Sequence, residues 1–175
     1  FVKVSGDAYA RGVAHGKALA ALIQPLLGAW AALVEDKAGL PIGELTRAFL
    51  KNTHFRDAMK QYTPWLLEEL RGIADGAGVD HDTLFVFNMP DELQWFGRYM
   101  LADAGMPEAP GCTSLGFGAT GGRPAIIGQN MDIDSGSEGF ETLLDITEEE
   151  TGRRSYVFTV AGMIGIMGMS DAPVG

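Results

Sequence analysis

The spacing of apolar side chains changes once along this chain, at Cys112, and that change restricts the fold more than any other feature. Up to about residue 100, Ala, Leu, Ile and Phe recur at helical spacing; from Cys112 onward they come in short runs separated by Gly-containing turns. A helical first half followed by a stranded second half implies an α+β architecture. At 175 residues and 46% hydrophobic, the chain can bury a substantial core and reads as one domain.

In the first half, the spacing predicts a largely buried helix from about Tyr9 to Glu35, with Gly12 and Gly16 four apart on one face, where a second helix could approach closely. Gly39-Leu40-Pro41 breaks the chain, and Ile42 to Tyr62 reads as one further helix. Thr63-Pro64 is a start signal, a cap residue followed by Pro at the first helical position; that helix ends near Gly76 or Gly78. Asp82 is the expected cap of a helix through Leu84, Phe85, Phe87 and Asn88, interrupted at Pro90, and Met100 to Pro110 reads as an exposed loop.

In the second half, Cys112 to Gly118 and Pro124 to Asn130 read as strands joined by a turn at Thr120-Gly121-Gly122. Phe140 to Thr147, Ser155 to Val160 and Met163 to Met169 complete an expected antiparallel meander of about five strands. The most apolar window, Ala18 to Val34, is slightly short for a membrane span and is interrupted by Gln24 and Pro25, so a kinked core helix is expected and no membrane partner. Phe1 at the start, and an end just after an apolar Gly-rich run, lead us to expect a piece of a longer or processed protein.

The formal charge of -10, from 13 basic and 23 acidic side chains, repels phosphate backbones and argues against nucleic acid as a partner. One cysteine excludes an internal disulfide and a Cys-based zinc site. No signal peptide is visible, which leaves the compartment open with the cytoplasm favoured.

That cysteine is the candidate nucleophile. A lone Cys is more often a buried structural thiol. Here it follows Gly111, which lets the backbone bend or be approached, and it heads a strand whose neighbour ends at Asn130 and Asp132. Cutting the Gly111–Cys112 bond would free the α-amine of Cys112, whose reference pKa of about 7.7–8.0 suits it to act as a base near neutral pH. Thiol and base then belong to one residue, Asp132 would orient the amine, and Asn130 is a weak candidate for oxyanion contact.

These residues carry a resemblance. Gly6, Tyr9, Gly12 and Gly16, the run Glu69-Leu70-Arg71-Gly72-Ile73-Ala74-Asp75-Gly76-Ala77, the pair Asn88 and Glu92, Gly111-Cys112-Thr113-Ser114, and Gly128-Gln129-Asn130-Met131-Asp132 occur in the order of the acyl-coenzyme A:6-aminopenicillanic acid acyltransferase family. The chain resembles that family over nearly its whole length, and Gly128 to Asp132 is similar also to conjugated bile acid and penicillin V acylases. The resemblance implies an αββα N-terminal nucleophile hydrolase fold, incomplete here, with residues 1–111 as the helical α-subunit-like portion and 112–175 as the start of the β-subunit-like portion. It implies self-cleavage at Gly111–Cys112 to an α/β heterodimer, with higher oligomers open. It further implies acyl transfer or amide hydrolysis on a small N-acyl compound or acyl thioester, through a thioester on Cys112. No cofactor or metal is implied; acyl-coenzyme A would be a substrate. Thr113, Ser114 and Trp95 are the expected substrate contacts. Ser170 and Pro173 depart from the family's Gly-x-Asn-x-x-Gly, and the Asn usually assigned to the oxyanion hole falls in a downstream half that this sequence does not contain. A choloylglycine-type amidase and a non-catalytic protein that keeps the fold are the alternatives.

His15, His54 and His81 form no Cys/His/Asp pattern and read as surface or satisfied core histidines. Asp80-His81-Asp82 reads as a solvated helix start, and Asp132 to Glu138 misses the Gly and Glu positions of a calcium loop.

Overall fold

The computed structural model describes residues 1–100, 111–133 and 135–171; of Arg98, Tyr99 and Met100 only the backbone is described. The loop expected from Met100 to Pro110 therefore lies almost wholly outside the described residues. The fold is mixed α+β, with six helices and two sheets among the described residues.

The chain opens with β1 (Val2–Gly6) and passes into α1 (Ala8–Ala38). Asp7 caps α1 by accepting the Ala10 N–H at 2.7 Å, and Gly39 ends it at φ +65°, a left-handed conformation suited to glycine. α1 is long and apolar enough to cross a membrane. Its buried stripe, from Gly12 through Ile23 and Leu27 to Val34, supplies core.

The face predicted from Gly12 and Gly16 meets α4 (Pro64–Ala77). A Cβ on Gly12 would lie 2.1 Å from the Glu69 carbonyl oxygen, and one on Gly16 2.3 Å from that of Ile73. The approach is reciprocal: Gly72 would meet the Tyr9 carbonyl at 2.3 Å and Gly76 that of Val13 at 2.5 Å. Four glycines thus bring two backbones into contact where side chains would hold them apart. Beside this seam Arg11 pairs with Glu69 at 2.9 Å and donates to the Gly6 carbonyl. Burial raises the Glu69 carboxyl above its ordinary range, while Arg11 draws it back down.

Ile42 to Tyr62 is two helices rather than one, α2 (Ile42–Asn52) and α3 (Phe55–Tyr62). The Asn52 amide and the Thr53 hydroxyl donate back to the carbonyls of Ala48 and Phe49, competing with the next helical turn, and Thr53 is extended. α4 begins at the predicted Pro64 and ends at Gly78. The cap of α5 (His81–Phe87) is Asp80, not Asp82: Asp80 accepts the Thr83 N–H at 2.8 Å, while Asp82 turns to Arg56. Pro90 starts a new helix, α6 (Pro90–Met100), rather than interrupting one.

The strands do not form one five-strand meander. Among the described residues, β2 (Thr113–Phe117) and β3 (Ile126–Asn130) pair only with each other. β4 (Glu141–Glu148), β5 (Arg154–Val160) and β6 (Met167–Ser170) form an antiparallel meander, and β1 extends it in the order β1-β4-β5-β6 by pairing parallel to β4, Val4 opposite Ile146. β6 begins at Met167 rather than Met163; before it, Gly162 and Ile164 are bonded to the side chains of His15 and Asn88.

The core has two parts. Leu19, Ile23 and Leu27 of α1 pack with Ile73, Ala74, Leu84 and Phe87, and against Val160 and Ala161 of the sheet. Val34, Leu45, Phe49, Leu70, Phe85 and Phe96 fill the space between the helices, with Phe49 edge-on to Phe96 at 5.5 Å. The helices thus cover one side of the four-stranded sheet.

Candidate active site

The β2–β3 hairpin is built by its turn. Thr120 and Arg123 exchange backbone hydrogen bonds, at 3.3 and 2.9 Å, around Gly121 and Gly122 at φ +54° and +77°. Two central residues with positive φ match the twist of the flanking strands. The resulting register sets Thr113 opposite Asn130 and Ser114 opposite Gln129. Cys112, one residue before β2, and Asp132, two residues after β3, therefore lie at the same end of the hairpin.

Cys112, Asp132, Thr113, Ser114 and Asn130 are all exposed. Among the described residues no side-chain hydrogen bond joins Cys112 to Asp132. Among the described residues, nothing lies within 4 Å of a Cβ added to Gly111. Trp95 is 54% exposed on α6 and is not among the residues lining the cleft described next.

Between the hairpin and the four-stranded sheet runs a cleft of about 540 Å³. Ser114 and Gln129 line it at the Cys112 end. Leu115 and Ile127 from the hairpin, and Leu143, Tyr156, Phe158 and Met167 from the sheet, line the rest. The hairpin's own apolar side chains are open to solvent, Ile127 by 74% and Phe117 by 64%.

Next to this cleft the same sheet face is polar. Arg154 donates two hydrogen bonds to Asp145, at 2.8 and 2.7 Å, beside Lys3, Ser5 and Thr147 around a depression of about 270 Å³. Asp145 is 4% exposed because the guanidinium lies over it, and half of the Arg154 side chain itself faces water. That pairing holds the Asp145 carboxyl below its ordinary range.

Two residues that the sequence placed only in a motif or a general class, Asn88 and His15, hold the turn from β5 to β6. The Asn88 amide donates to the Gly162 carbonyl at 2.9 Å, and its oxygen accepts the Ile164 N–H at 2.9 Å. His15, buried in α1, accepts the Gly162 N–H on Nε2 at 3.2 Å. Burial lowers the His15 pKa to about 4. The available signal was a polar residue, Asn88, closing the apolar run from Leu84 to Phe87.

Among the described residues no group of three or more His, Cys, Asp or Glu is placed to hold a metal ion. His81 instead meets Asp75 at 2.8 Å, and Asp75 also accepts the Tyr9 hydroxyl, tying α5, α4 and α1 together at the surface.

No protein-family model matches the chain, and no curated protein matches it.

Proposed function

We propose that this chain is the nucleophile-bearing part of a self-processing cysteine acyltransferase or amidohydrolase of the N-terminal nucleophile type. The observation that carries the reading is the hairpin register: Thr113 opposite Asn130 sets Cys112 and Asp132 at one end of one hairpin. Helices, a four-stranded sheet and the hairpin stacked in that order are compatible with three of the four layers of an αββα sandwich.

In the uncut chain the Cys112 nitrogen is an amide and cannot act as a base. The thiol attacks the Gly111 carbonyl, the Gly111–Cys112 C–N bond breaks as a thioester forms, and the nitrogen leaves protonated as an amine. Water then hydrolyses the thioester, releasing the Gly111 carboxylate and regenerating the thiol. The free amine now takes the thiol proton when Cys112 attacks a small N-acyl substrate, and returns it to the departing amine. Asp132 orients the ammonium, and the acyl group rests on sulfur until water or an acceptor amine removes it. Asn130, Thr113 and Ser114 surround that step. Acyl-coenzyme A is an alternative acyl donor of the same chemistry, and the processed enzyme is an α/β heterodimer.

Mass spectrometry of the expressed full-length protein tests the proposal. Two fragments separated before Cys112 are expected. A single uncut chain that nevertheless turns over N-acyl substrates would remove the self-processing mechanism.

A further inference from the structure

Gly162 sits at φ +89° with both backbone polar groups satisfied by side chains from two different helices: its N–H goes to His15 of α1 and its carbonyl to Asn88 of α5. The third contact, Ile164 N–H to Asn88, fixes the far side of the same turn. The turn leads into β6, where Met167, Gly168 and Met169 line the cleft under the hairpin. Among the described residues the buried Nδ1 of His15 has no partner, so the ring meets them at one hydrogen bond, and that bond requires Nε2 to be an unprotonated acceptor.

We propose that the Gly162–Ile164 turn is an acid-released latch: a proton on His15 Nε2 replaces the Gly162 N–H there, and the turn swings on Asn88, shifting the β6 side of the cleft. A protonated ring has two donors and no acceptor, so it repels the N–H that it had held. Among the described residues no carboxylate acts on the ring, whose shift has burial as its cause. On its own helix the flanking charges are both cations, Arg11 one turn before and the exposed Lys17 two residues on, and from α4 Glu69 is already paired with Arg11. His81 and Asp82 of α5 bond outward, to Asp75 and Arg56. Gly162, Met163 and Ile164 have no titratable side chain. Burial supplies the resistance to protonation that sets the working range: His15 is held at about 4 with the latch closed, and an opened turn lets it rise toward the free value of roughly 6.5.

The test follows the methyl resonances of Met163, Met167 and Met169 in the full chain from pH 7.5 to 3.5, alongside the His15 ring, assigned by comparison with His15→Gln. In the wild type the three methyls shift together with the His15 midpoint, between about 4 and roughly 6.5, while far-UV circular dichroism stays constant. In His15→Gln, whose amide oxygen accepts at every pH, that transition is lost. Methyls that stay still while His15 titrates overturn the latch, as does a transition that persists unchanged in the Gln variant. Should that variant not fold, the wild-type comparison decides alone. Loss of helical signal at the His15 midpoint overturns it too, because the whole core and not the turn is then released.

Discussion

Gly12 of α1 and the backbone of Glu69 in α4 are in contact, so that a Cβ on Gly12 would stand 2.1 Å from the Glu69 carbonyl oxygen. Neither backbone can yield without separating the helices. Gly12→Ala is therefore expected to destabilise the fold by the upper end of roughly 1–3 kcal/mol, or more. Gly28 of the same helix has nothing within 4 Å of its Cβ position. Gly28→Ala is expected to stabilise by about 0.4–1 kcal/mol through helix propensity and a less free unfolded chain. Urea unfolding of the two variants should move in opposite directions, and equal effects would refute the close-contact account.

The glycine seam was legible because close helix packing leaves a periodic trace in sequence: Gly12 and Gly16 are four apart. The hairpin was legible for a similar reason: Thr120-Gly121-Gly122 sets a tight turn, and the register that leaves Cys112 and Asp132 at the same end follows by counting. β1 was not. Its parallel partner β4 lies at the other end of the chain, and nothing local in Val2–Gly6 marks such a pairing. Asp80 and Asp82 are equally good caps by type; only the Thr83 contact separates them. The helical period places His15 on the buried stripe of α1, but its partner, the Gly162 N–H, lies 147 positions away and leaves no local trace.

Arg11 compensates a carboxylate that is otherwise buried. Its side chain and that of Glu69 are 13% and 6% exposed. Arg11→Met keeps the packing and strands the Glu69 charge, with an expected cost on the order of 3–5 kcal/mol at pH 7. Burial already raises the Glu69 pKa, and losing Arg11 raises it further. Protonation then removes the stranded charge, so the difference between variant and wild type shrinks as pH falls through the raised pKa. Denaturant unfolding at pH 7 and at pH 5 reads this directly; a pH-independent difference would show that the pair contributes packing alone.

His15 makes stability itself pH-dependent. Its folded pKa is depressed to about 4 against roughly 6.5 unfolded, so the unfolded chain binds the proton first. The contribution is fully present above the unfolded value and is lost as pH falls from roughly 6.5 toward the folded one. By pH 5 the loss reaches at most about 2 kcal/mol, less whatever a local opening of the turn recovers. The stability of His15→Gln, measured by urea unfolding from pH 7.5 to 5, should lack this component. An identical slope in both proteins would assign it to other groups.

Cys112 and Asp132 separate two stages of the proposed chemistry. Cys112→Ala removes the thiol needed both for cutting and for turnover, and both should vanish while the exposed position leaves stability within about 0.5 kcal/mol. Asp132→Asn leaves the thiol in place and removes the charge proposed to orient the freed amine. Cleavage at Gly111–Cys112, which precedes the amine, should continue at a reduced rate. Turnover should fall by roughly 10²–10⁴-fold, the range of general acid–base assistance. Intact-mass analysis measures the first stage and release of amine from N-acyl substrates the second. A fully active Cys112→Ala variant would end the assignment of the nucleophile. Equal loss of both stages in Asp132→Asn would instead place the carboxylate in the attack on Gly111, ahead of any free amine.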